Sequence, residues 1–291
     1  MRAFVLSCCS ILLLAVAARG EERQFVLVAS VTPWQIAPGR TVLAYSYNQT
    51  VPGPEIRGNA GDVFRITLVN NLPVSTTIHW HGVPVPNGMD GVPGVTGPVV
   101  YPGQTFIYVF QAPSPGTYWY HPHANSGSQI SLGLYGLLIV DPPADAPRKY
   151  DREVSMVIGE YGGMMGGGMT GRDGMGGMAG SAASTLLING KTAPAIPDLR
   201  VRYGERVLFR MVNTGNMVHP MHVHGLHWTI VATDGFELQA PYKKDTVPIN
   251  AGERYDGILE ADNQGVWMVH CHNLDHVTDS PTGLVFNLVV E

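Results

Sequence analysis

Ala60-Gly61-Asp62-Val63-Phe64-Arg65-Ile66-Thr67-Leu68 sets the pattern of the whole chain. A glycine turn leads into a run in which Phe64, Ile66 and Leu68 take one face and Arg65 and Thr67 the other. Side chains alternate this way only along a β-strand, here one with a single buried face. Working outward, residues 105–110 and 136–140 read as further strands. The turn and strand recur as Tyr203-Gly204-Glu205-Arg206-Val207-Leu208. Around that second copy lie candidate strands at 154–158, 186–188, 206–212, 227–233, 257–260, 266–269 and 284–290. No long stretch carries helical periodicity. The chain therefore reads as all-β, a β-sandwich present twice. Its 291 residues suit two domains. The polar, proline-rich segment 141–152 is the best boundary, giving a first domain over 21–145 and a second over 146–291. Only 14% of residues are charged, and 35 glycines and 22 prolines supply turns, which favours sandwiches over bundles. A net charge of −5 gives no electrostatic case for nucleic acid.

Eight of the 11 histidines fall in four His-X-His pairs: His79–His81, His121–His123, His222–His224 and His270–His272. On a strand, each pair aims two imidazoles at one place. Cys271 lies between the members of the last pair and so points to the opposite face. His219, three residues before His222, shares the thiol's face on a continuous strand, and a loop can return His276 to it. Two imidazoles and a thiolate make the trigonal set of a blue (type 1) copper site. The eight paired histidines are left for a cluster of several ions. His227 fits neither site and reads as an ordinary or supporting residue.

Residues 1–20 read as a secretory signal, with Arg2 at its start, an apolar run over 11–18 and a small-residue cleavage site at Ala15-Val16-Ala17. The run is too short for a membrane span. Export places the chain in the periplasm or outside the cell. Cleavage removes Cys8 and Cys9 and leaves Cys271 without a disulfide partner, so a metal is the natural reason to keep its thiol. Residues 162–180 contain ten glycines and Met164, Met165, Met169, Met175 and Met178. Two readings stand: a flexible connector, or a soft thioether surface that captures Cu(I).

At this point the sequence resembles the multicopper oxidases, laccase-like enzymes, through His79-Trp80-His81-Gly82, His121-Pro122-His123, His219-Pro220-Met221-His222-Val223-His224-Gly225 and His270-Cys271-His272-Asn273-Leu274-Asp275-His276. Val51-Pro52-Gly53-Pro54-Glu55-Ile56-Arg57 is similar to the family's first domain. The resemblance implies two cupredoxin-like Greek-key sandwiches in tandem, and four coppers per functional unit: one type 1, one type 2 and two type 3. It assigns His219, Cys271 and His276 to type 1 copper, and His79 and His222 to type 2. One type 3 ion would take His81, His121 and His272, and the other His123, His224 and His270. Electrons from a small-molecule reductant would enter at type 1 copper and pass from Cys271 through His270 and His272, and dioxygen would be reduced to water at the cluster. Asp90 stands where the family often has an acid, as a proton relay; the bland alternative is a turn carboxylate in Met89-Asp90-Gly91.

Most members have three such domains, and the chain resembles the two-domain laccases, which form homotrimers with clusters between subunits. Pro122 occupies the place of a first-domain type 1 cysteine. Val277 stands where many bacterial relatives carry an acid, and the axial position falls on Pro281 or Leu284, neither of them a thioether, which favours a raised potential. Phenols and aromatic amines are the default donors, with Cu(I) the main rival. A copper nitrite reductase is the lesser enzymatic alternative, because that family keeps its type 1 cysteine in the first domain. A copper carrier needs neither the paired ligands nor the cysteine bridge.

Overall fold

The computed structural model describes residues 20–143, 145–162, 184–276 and 283–291. The expected signal up to Ala17, the five loop methionines, Val277 and Pro281 lie outside them. Four sheets hold all the named strands, which take up just over half of the described residues. Sheet 1 orders Arg40–Tyr47, Glu22–Ala37, Val63–Asn70 and Thr105–Gln111; sheet 2 orders Gly53–Asn59, Gly136–Asp141, Gly116–His121 and His79–His81. Sheet 3 has six strands, Thr185–Ile188, Arg152–Tyr161, Arg206–Asn213, Arg254–Glu260, Trp228–Thr233 and Phe236–Lys244. Sheet 4 has five, Leu199–Val201, Val285–Val290, Gly265–Cys271, His219–Val223 and Thr246–Ile249. The one α-helix among the described residues, Ser126–Ser131, spans six residues and is too short to leave a period in the sequence.

Alternation explains how the sheets stack. Phe64, Ile66 and Leu68 of sheet 1 are fully buried and share one core with Trp80, Tyr120 and Leu138 of sheet 2. Phe209, Met211 and Trp228 of sheet 3 share another with Met221, Val269 and Cys271 of sheet 4. The alternate residues of the two middle sheets form a third contact, where Trp119, Leu137 and Ile139 of sheet 2 meet Val157 and Val212 of sheet 3. Four layers result, in the order 1, 2, 3, 4, with sheets about 10 Å apart.

Polar groups fasten the middle seam. Arg57 of sheet 2 pairs with Asp141 (2.7 Å) and with Glu153 of sheet 3, while Arg210 holds the other oxygen of Glu153 at 2.9 Å. The hydroxyl of Thr117 accepts from Arg210 (2.8 Å) and donates to Asp256 (2.6 Å). Burial works against an ionised Glu153, but Arg57 and Arg210 outweigh it and hold the carboxyl at about 2, below its ordinary 4.5. A depressed carboxyl contributes stability above its unfolded pKa, and that contribution disappears as pH falls through the folded one. The melting temperature is therefore expected to fall between about pH 4.5 and 2, and Glu153→Gln to flatten that part of the profile. An unchanged acid slope in the variant would show that Glu153 carries none of it.

Candidate metal centre

The two His-X-His pairs of the first half meet because their strands are hydrogen-bonded neighbours. His79 stands opposite His121, and His81 opposite Trp119. Trp80 and Tyr120 point into the core, so the histidines share the other face of sheet 2, beside the middle seam. Ring centroids lie 5.2 Å apart for His79 and His121, and 5.5 Å for His79 and His123. Three of the four rings are held from behind. His79 Nδ1 is 2.9 Å from the Asp90 carbonyl and 3.2 Å from its carboxylate Oδ1, which leaves Nε2 free. His121 Nδ1 engages the Pro122 carbonyl at 2.9 Å, and its Nε2 faces His81 Nδ1 at 3.2 Å. The His81 ring stacks on Trp119 with centroids 4.7 Å apart. His79 and His81 open on a cleft of about 420 Å³ bordered by Phe236, Gly252, Glu253 and Arg254 of the second half.

The second quartet repeats this plan on sheet 4. His222 stands opposite His270, with centroids 5.6 Å apart, and His222 and His272 are 5.5 Å apart. His222 Nδ1 lies 3.0 Å from the Asp245 carbonyl and 2.9 Å from the Thr246 hydroxyl. His270 Nδ1 engages the Cys271 carbonyl at 2.9 Å, and its Nε2 faces His224 Nε2 at 3.0 Å. The facing nitrogens in both quartets, with the far nitrogens of His121 and His270 anchored on carbonyls, suit ions held between imidazoles. Burial, with Arg254 and neighbouring imidazoles adding to it, pushes His81 down to about 4, and burial pushes His121 to about 3. Both are neutral near pH 7 and able to ligate. Among the described residues no ring contact joins the two quartets. The first lies on the seam side of sheet 2 and the second on the outer face of sheet 4. Two sheet spacings, about 20 Å, separate those faces. His123 and His272 are exposed.

Cys271 pairs with Met221 and faces the core of the second sandwich, opposite in sense to His270. Its Sγ lies 3.8 Å from His219 Nδ1 and 3.4 Å from His276 Nδ1, and all three residues are buried. Donor–metal bonds of about 2.0–2.3 Å in a trigonal set put donors about 3.5–4 Å apart, so this trio fits one small ion. Burial raises the thiol pKa, and coordination would deprotonate it. Leu284, one of the two axial candidates, is buried, and its carbonyl accepts the Cys271 amide at 3.0 Å. His227 is exposed, next to the strand Trp228–Thr233. One group near the trio is absent from the sequence reading: Glu160, with Oε1 3.8 Å from His219 Nε2. It lies 59 residues from His219 on another sheet, and no local motif marks it.

Two family models, each described as "Multicopper oxidase", match residues 29–145 and 172–291. Copper resistance protein A of Escherichia coli is 39% identical over 152 residues, 52% of this chain and 25% of that protein. Laccase-2 of Botryotinia fuckeliana is 34% identical over 295 residues, 91% of this chain and 49% of that one. The chain thus spans half or less of these curated relatives. Its structure superposes on the Blue Copper Oxidase of Nitrosomonas europaea with a TM-score of 0.84 and 33% identity, over 93% of this chain and 86% of that one.

Proposed function

The chain belongs to the multicopper oxidase family, and from that premise we propose that it is an exported oxidase coupling one-electron oxidation of phenols or aromatic amines to reduction of dioxygen to water. The observation that carries this reading is the strand Gly265–Cys271: its last residue turns a thiol into the core beside His219 and His276, while His270 and His272 turn outward to the second quartet. When bound, copper supplies the redox chemistry, a one-electron couple at the buried trio and four-electron reduction of dioxygen at the quartets. Burial of the trio keeps water from the thiolate. A few covalent bonds join the Cys271 sulfur to the imidazoles on either side of it. Asp90 is the proposed proton relay; its carboxylate lies 3.2 Å from His79 Nδ1 and accepts from the Thr96 hydroxyl at 3.1 Å.

We further propose a homotrimer in which the first quartet of one copy meets the second quartet of the next. Placement of the quartets on separate faces, and the exposure of His123 and His272, support it. A second reading, oxidation of Cu(I), is favoured by the relative named for copper resistance. Both readings share one experiment. Copper-loaded protein is expected to show an intense blue absorption band with a type 2 EPR signal, and to consume oxygen with a phenol. Uptake with Cu(I) but not with phenols would move the substrate to the second reading; absence of the blue band would sink the oxidase.

A further inference from the structure

A buried carboxylate stands behind the ring of His219, and neither copper set uses it. We propose that Glu160 is a positioning residue of the type 1 site, fixing the His219 ring and lowering the reduction potential of the copper held there. The inference rests on the reading of His219, Cys271 and His276 as the type 1 set.

Glu160 comes from the strand Arg152–Tyr161 of sheet 3, and His219 from sheet 4, so the contact crosses the core of the second sandwich. Glu160 Oε1 accepts the Asn216 amide at 2.8 Å and the Met217 amide at 2.9 Å. This clamp holds the carboxylate 3.8 Å from His219 Nε2. That nitrogen is fully buried and has no hydrogen-bond partner among the described residues, while Nδ1 of the same ring faces Cys271 Sγ. Gly215 makes the room: a Cβ there would fall 2.4 Å from Glu160 Oε1. The carboxylate thus stands within reach of that unpartnered nitrogen, and an acid that takes such an N–H fixes the orientation of a ligating imidazole and raises its basicity.

The charge also has a direction of effect. A carboxylate behind the ring stabilises the more highly charged Cu(II) state over Cu(I), and burial weakens the screening of that interaction. Glu160 therefore opposes the raised potential expected from a site without a thioether ligand.

The test uses the copper-loaded full chain and its Glu160→Gln variant, which keeps an oxygen for both amides but removes the charge. Loss of the blue band in the unmodified protein would remove the type 1 reading itself, and is seen before any variant is made. With that band present, Glu160→Gln is expected to stay blue and to melt near the parent temperature. Its type 1 potential should rise, and its Cu(II) retention against a chelator should fall roughly 10–100-fold, with Cu(I) retention changing less. A blue variant with unchanged potential and unchanged Cu(II) retention overturns the proposal. Should Glu160→Gln fail to fold, Glu160→Asp carries the same test: the charge retreats by one methylene, and a smaller rise in potential is expected. An unchanged potential there overturns it equally.

Discussion

Replacing Cys271 with serine is expected to erase the blue band and reduce oxygen uptake to background, while the type 2 EPR signal persists. Cys271 is the one residue common to both halves of the proposed chemistry. Its side chain belongs to the core trio, and its backbone joins His270 to His272. Serine preserves that backbone and the register with Met221, so the quartet on the outer face should keep its geometry. The hydroxyl takes the place of a fully buried sulfur. An unpaired buried hydroxyl costs about 1–3 kcal/mol, which a two-sandwich chain is able to absorb. The loss of turnover should exceed the roughly 10–100-fold typical of removing a supporting residue, because the donor itself is gone. Turnover within tenfold of the parent would show that electrons reach the quartets by another route.

The second large effect is one of rescue. A chain carrying His79→Ala and His81→Ala loses the first quartet, and one carrying His222→Ala and His224→Ala loses the second. Each alone should be inactive. If every cluster takes one quartet from each of two neighbours, co-expression of both chains recreates intact pairs. With random assembly, half of the first quartets and half of the second are intact, so about a quarter of the parent activity should return. Activity confined to an isolated monomer, or no rescue from mixed assemblies of confirmed composition, would place the cluster within one chain. The buried trio is intact in both variants, so the blue band serves as an internal control for copper loading.

Much of this was legible in the sequence because strand geometry is strict. Alternation in residues 64–68 fixed which side chains enter the core, and Phe64, Ile66 and Leu68 are fully buried. The same parity predicts that Cys271 and His270 face opposite ways, and the ladder places Met221 opposite Cys271 and His222 opposite His270. What the sequence hid depends on packing between elements. Glu160 meets His219 only because sheets 3 and 4 close on each other. The Glu153 cluster joins residues from 57 to 210 across the seam. The strand Phe236–Lys244 is largely exposed, so no alternation marks it. Asp90 was visible as a candidate, but its approach to His79 follows from the turn that carries it. Nothing in residues 79–123 and 219–276 alone reveals that the two quartets sit on different faces of a four-layer stack.

That stacking gives the molecule a polarity. In the proposed assembly the first quartet of each copy meets the second quartet of the next, two layers away. Copies joined that way follow one another head to tail, and the angle between successive copies would decide whether the series closes into a ring or runs on as a filament. In a closed ring no half-site is left unmatched; in an open series the two ends always are. Dilution below the assembly threshold would then silence oxygen reduction in every copy while leaving each sandwich folded.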